Sequence, residues 1–134
     1  MDSSAQRRPF YTYMGPGRQV YYLLGERENI LWERKQSGDG KASYELGMYF
    51  LSLKRPNIDE GYYCFSAGEG VGDVNCMLVL AEMHLIGYGA YLDKDIANNF
   101  YRRALEKGEA FDARCTDTLA VLKKAFPEVE AKGE

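Results

Sequence analysis

Two stretches of this chain superpose on each other, and that self-similarity limits the folds open to it more than any other feature. DGKASYELGMYFL (39 to 51) lies over DVNCMLVLAEMHL (73 to 85) at an offset of 34, which matches Asp39 with Asp73, Leu46 with Leu80, Gly47 with Ala81 and Leu51 with Leu85. NIDEGYYCFSAGEGVG (57 to 72) lies over DKDIANNFYRRALEKG (93 to 108) at an offset of 36, which matches Gly61 with Ala97, Phe65 with Tyr101, Gly68 with Ala104 and Gly72 with Gly108. The two extra residues fall in the GYGAYL loop, where a helical hairpin accepts insertions at little cost. A period in the mid-thirties with two helical patterns per period predicts stacked helix hairpins, that is, a solenoid.

Each matched position has a physical role in such a stack. Small residues at Gly47/Ala81, Gly61/Ala97 and Gly68/Ala104 let paired helices approach, while Leu46/Leu80 and Phe65/Tyr101 fill the space between layers. Asn57 and Asp93 suit the N-cap of the second helix of each pair, and Glu60, three residues after Asn57, resembles a capping box. Gly72 and Gly108 suit left-handed positions that end those helices.

The segment from Asp73 to Gly108 resembles a Sel-one-like repeat, a tetratricopeptide-like unit, with Cys76, Leu80, Ala81, His84, Gly87, Gly89, Asp93, Ala97, Phe100, Tyr101, Ala104 and Gly108 on its marked positions. Cys76 stands where the pattern has Ala, Ala81 where it has Gly, and His84 where it has Tyr. Residues 39 to 72 resemble a second copy through Ala42, Leu46, Gly47, Phe50, Asn57, Gly61, Phe65 and Gly72, although the loop LSLKRP lacks the paired glycines. The resemblance implies an all-α fold, a short right-handed solenoid of about two tetratricopeptide-like hairpins with capping helices. It also implies a binding module: relatives act as adaptors, and some small bacterial ones neutralise a toxin as immunity proteins.

The flanks are less regular. Residues 18 to 37 are expected to give helical cover for the first hairpin, within one helical domain spanning 18 to 126. Phe111, Cys115, Leu119, Leu122 and Phe126 form an apolar stripe that predicts a capping helix over about 110 to 126, ended by Pro127. Solenoids need such caps at their ends. Residues 1 to 17 read as an arm and 127 to 134 as a frayed tail.

Composition narrows the function classes. A chain of 134 residues, 46% hydrophobic and 28% charged, reads as soluble and globular, and its longest apolar run falls far short of the ~20 residues that cross a bilayer. No membrane partner is expected. The N-terminus lacks the apolar core of a secretory signal, so a cytoplasmic location is the default, with a removed leader as the exception. Residues 1 to 38 carry six Lys/Arg against four Asp/Glu, and the remainder carries eleven against sixteen. Such a balance provides no broad footprint for nucleic acid, and the arginine-aromatic arm reads better as packing on the protein itself. Cys64, Cys76 and Cys115 show no CxxC or Cys/His pattern, so buried thiols are expected, with neither metal nor disulfide framework.

His84 is the single histidine and sits at a packing position, so no catalytic constellation can be assembled around it. A non-enzymatic module without cofactors, binding a protein or peptide, is the leading expectation. The alternative is an enzyme or small-ligand binder using a pocket around His84 and tyrosines, and a third reading is a homodimer formed through the arm or groove. The first helices of the pairs would line the concave face. With Ala42, Leu46 and Phe50 as core, Lys41, Glu45, Met48 and Tyr49 share a neighbouring face, and Asn75, Val79, Glu82 and Met83 are their counterparts. Adaptable methionine and aromatic surface with a charged rim suits partner capture.

Overall fold

Four short polar side chains set the starts of four helices. Asp39, Asn57, Asp73 and Asp93 each accept a hydrogen bond from a backbone N–H in the first turn, at 3.1 Å from Ala42, 3.1 Å from Glu60, 2.9 Å from Cys76 and 3.0 Å from Ile96. Each bond satisfies one of the N–H groups that a helix leaves without an internal partner. The helices they open are α2 (Gly40–Ser52), α3 (Ile58–Gly70), α4 (Val74–Ile86) and α5 (Lys94–Glu106). The computed structural model describes residues 9 to 13 and 19 to 129, with side chains from residue 24 onward.

The four helices pack as neighbours, α2 on α3, α3 on α4 and α4 on α5. One backbone bond closes both helix pairs in the same way. The Asn57 N–H donates to the Phe50 carbonyl at 2.9 Å, and the Asp93 N–H donates to the His84 carbonyl at 2.9 Å. The second closure spans a loop two residues longer, which is where the sequence alignment puts its insertion. Gly72 and Gly108 take φ of 90° and 67°, the left-handed backbone expected of them. Close approach is equally concrete at Gly47, where a Cβ would lie 2.6 Å from the Phe65 ring.

The core has two parts. The smaller joins Leu24, Leu31, Ala42, Leu46, Phe50 and Cys64 across α1 (Glu26–Gln36), α2 and α3. The larger is built around α4, nine of whose residues are buried, and includes Tyr44, Phe65, Ala97, Tyr101, Ala104, Leu122 and Phe126. Ala97 and Ala104 are fully enclosed, as their matched positions require. α4 therefore has neighbours on most of its circumference. The reason lies in its sequence, VNCMLVLAEMHLI, in which Glu82 is the sole acidic or basic residue besides His84.

The helical body differs from expectation at both ends. Residues 18 to 37 are only partly helical: Gln19–Leu23 is a strand, β2, pairing antiparallel with β1 (Pro9–Tyr13) in a register that sets Tyr11 opposite Tyr21. PFYTY and QVYYL are rich in aromatic and β-branched residues, which favour a pleated ribbon, and α1 begins only after Gly25. The expected arm thus includes a strand, and its other residues lie outside the described ones. At the far end the helix α6 runs Thr116–Ala125, preceded by a 3-10 turn at Ala113–Cys115, so it starts later than the apolar stripe suggests. Asp112 caps that turn by accepting from the Arg114 N–H at 2.8 Å. Residues 127 to 129 follow α6, and most of the expected tail lies outside the described residues. Among the described residues, no helix is long and apolar enough to cross a membrane.

Candidate interaction site

The face expected to form an open groove is largely occupied by the chain's own C-terminal segment. On α4, the Asn75 side-chain oxygen accepts from the Asp112 N–H at 2.8 Å, and the Glu82 carboxylate accepts from the Thr118 hydroxyl at 2.7 Å. Val79 and Met83 are core residues, 8% and 3% exposed. On α2, the Glu45 carboxylate accepts from both terminal guanidinium nitrogens of Arg114, at 2.8 and 2.6 Å. Met48 is half-buried against the larger core, and Tyr49 is half-buried against the smaller one. Of the eight residues, Lys41 alone stands fully exposed. Val79 and Met83 thus offer no open surface to a partner, and the end of the Met83 side chain lies beside Gly89 of the α4–α5 loop.

Electrostatics reinforce that attachment. The paired hydrogen bonds from Arg114 hold the Glu45 carboxyl below its usual range, and Arg114 lowers Asp112 to about 2. Hydrogen bonds to the same two carboxylates push the guanidinium of Arg114 up. Its charged plane also stands 5.0 Å from the centre of the Tyr44 ring, whose π-face attracts a cation. Beneath, the Tyr44 hydroxyl lies 3.5 Å from the Cys115 sulfur, and burial raises the pKa of both groups. All three cysteines are buried free thiols; burial pushes Cys64 up to about 12 and Cys76 higher still. Thiols held protonated in this way are poor nucleophiles and poor metal ligands. Among the described residues no group of three or more His, Cys, Asp or Glu is placed to hold a metal ion.

An open pocket lies elsewhere, between the N-terminal half of α3 and the loop joining α4 to α5. It has a volume of about 550 Å³ and is lined by Asp59, Tyr62, Tyr63, His84, Gly89, Ala90 and Tyr91. His84, 6% exposed, organises it. Its Nδ1 lies 2.9 Å from the Tyr91 carbonyl, which can only accept, so Nδ1 carries a proton and donates. Its Nε2 lies 3.0 Å from the Tyr62 hydroxyl; in the neutral ring it accepts the Tyr62 proton. The imidazole also sits edge-on to Tyr62 at 5.7 Å and stacks on Phe100 at 5.9 Å. One ring therefore fastens the loop to α3 and α5 together.

The loop is drawn down tightly. Gly87 ends α4 in the left-handed conformation, φ 73°, and the Tyr88 N–H turns back to the Met83 carbonyl at 2.9 Å. A Cβ on Gly89 would collide with Ile58, so glycine lets the loop lie against the start of α3, beside Asp59. The side chains then point outward: Tyr91 is 90% exposed and Leu92 69%, with Tyr63, Ile86 and Tyr88 also exposed.

The packing role expected of His84 omits its loop-fastening bonds, and the exposed tyrosine surface was not among the expected site residues. A signal for both was present: a loop with two tyrosines, a leucine and two glycines carries more apolar bulk than a turn needs. The central position of α4, readable from its all-round apolarity, likewise argues against an open face along it. Comparison with family models, with curated proteins and with solved structures gives no match for this chain.

Proposed function

We propose that this chain is a non-enzymatic protein-interaction module, built from two Sel-one-like hairpins in a short right-handed solenoid, that binds its partner through the α4–α5 loop and the adjoining face of α3. The observation that carries the reading is the outward display of Tyr91 and Leu92 on a loop whose backbone is fastened by His84. Large apolar side chains grouped on one exposed surface mark interaction sites, and tyrosines on a preorganised loop give contact area at low entropic cost. The matched loop closures of the two helix pairs support the repeat reading. An adaptor or a toxin-neutralising immunity protein is the class of role that the family resemblance implies.

A small-ligand pocket is the second reading, favoured by the 550 Å³ volume around Tyr62, Tyr63 and His84. Both ring nitrogens of His84 are engaged, so neither is open for proton transfer without breaking a bond that holds the loop. This favours binding over catalysis.

The test is affinity capture by the full chain and by a Tyr91→Ser, Leu92→Ser double variant whose helical circular dichroism and melting match the parent. Loss of a partner that the parent captures supports the reading. Equal capture by both proteins would sink it.

A further inference from the structure

We propose that the pocket between α3 and the α4–α5 loop receives the side chain of an arginine or lysine from the partner, so that a basic segment is what this surface recognises. The inference rests on the reading of this surface as a protein interface, and it adds the chemistry of the occupant.

Three tyrosine rings and one carboxylate line the pocket. Tyr62 and Tyr63 meet edge to face at 6.5 Å, which gives the pocket ring faces in two orientations, and the exposed Tyr91 stands on the loop as a third wall. Aromatic faces carry negative charge density and attract cations, most strongly where a cation can contact several rings. Asp59 is the sole charged side chain in the lining once His84 is neutral. No lysine or arginine among the described residues forms an ion pair with it.

The alternative occupants fare worse on the same facts. A neutral apolar group would leave the exposed Asp59 carboxylate unpaired and gain nothing from its charge. An anion would face both the carboxylate and the rings' negative faces. A basic side chain satisfies the carboxylate with its head and lays its methylene stem on the tyrosines. Arginine suits the walls better than lysine, because its planar guanidinium can stack on one ring while bonding the carboxylate in the plane.

The experiment uses the isotope-labelled full chain and a capped glycine-serine pentapeptide with arginine at its centre. Matched peptides carry lysine, citrulline or leucine there, and binding is read from backbone amide shifts. The arginine peptide is expected to shift the amides of Tyr63, Gly89, Ala90 and Tyr91, with lysine weaker. Citrulline keeps the planar shape but loses the charge, and it should bind about fivefold more weakly or less. Asp59→Asn should weaken the arginine peptide by about fivefold and Tyr91→Ala by about threefold, while Ile30→Ser on the distant α1 leaves it unchanged.

Equal binding of arginine and citrulline overturns the proposal, as does tighter binding of leucine, indifference to Asp59→Asn, or no shift by any peptide at millimolar concentration. The parent reading fails separately. If the Tyr91→Ser, Leu92→Ser variant loses its captured partner but Asp59→Asn keeps it, the interface stands and the basic occupant falls. If the peptide discriminates charge but capture ignores Tyr91 and Leu92, the pocket stands and the interface falls.

Discussion

The loop joining α2 to α3 and the loop joining α4 to α5 close on equivalent backbone bonds, from Asn57 to Phe50 and from Asp93 to His84, yet they present different surfaces. The first is short, and its exposed residues are Lys54, Arg55 and Pro56, while Phe50 faces the smaller core. The second is two residues longer, exposes Tyr88, Tyr91 and Leu92, and has a histidine where the first has Phe50. Phenylalanine has no ring nitrogen with which to donate or accept a hydrogen bond at that place. Histidine packs and also bonds a tyrosine hydroxyl on one side and a loop carbonyl on the other. One substitution and one short insertion thus turn a plain helix connection into a held, outward-facing loop.

The largest expected effect tests the close contact in the first helix pair that the second lacks. Gly47→Ala drives a methyl into the Phe65 ring and should cost ~1 to 3 kcal/mol in urea unfolding, partly restored by adding Phe65→Leu. The second pair already carries alanine there, at Ala81, where it is fully buried. A Gly47→Ala protein as stable as the parent would show that the two pairs are packed alike after all.

Next, His84→Phe gives the second pair the residue of the first. It leaves the Tyr62 hydroxyl and the Tyr91 carbonyl without this partner and should cost ~1 to 2 kcal/mol, with faster amide exchange in residues 88 to 92. Unchanged exchange there would mean that the loop holds its shape without the imidazole.

Gly70→Ala should act in the opposite direction. Nothing lies within 4 Å of where its Cβ would be, so α3 should gain ~0.5 to 1 kcal/mol from the lost freedom of the unfolded chain. Slower amide exchange across α3 should accompany that gain.

The smallest effect is at the attachment of the C-terminal segment. Arg114→Leu removes a pair whose guanidinium is half-exposed to water, and it should cost only ~0.5 kcal/mol. Acid should do the same. The Glu45 and Asp112 carboxyls titrate lower in the folded chain than in the unfolded one, so their stabilising contribution is complete above their unfolded pKa values near ~4 and is lost as pH falls through their folded ones, toward about 2 for Asp112. The parent should therefore lose the stability difference from Arg114→Leu as pH drops, which parallel denaturant curves would show.

What could be read from the sequence was local. Asn57, Asp93, Gly72 and Gly108 act on their own turn of chain, so residue type and spacing are enough to locate helix ends. Gly47, Ala97 and Ala104 were legible because two copies of the pattern agree on small residues. The docking place of α6 was not, because an amphipathic stripe says that a helix packs without saying on what. That is why Asn75 and Glu82, assigned to an open wall, bond the C-terminal segment instead. His84 meets Tyr62 across 22 residues of sequence and meets a backbone carbonyl that has no residue signature. β2 was missed because Val20, Tyr21 and Tyr22 precede a genuine helix, and the apolar run reads on into it.

The enclosure of α4 has a consequence for how the protein can be cut. Chains of stacked units usually tolerate removal of a terminal piece, since each unit touches only its neighbours. Here a protein ending near residue 109 would strip Cys115, Leu122 and Phe126 from the larger core, baring Tyr101 where the Phe126 ring meets it, and would orphan Asn75 and Glu82 at the same stroke. Such a fragment should clump instead of persisting as a smaller version of the whole, so the last helix is as necessary to the protein's integrity as the helices between which it has no counterpart.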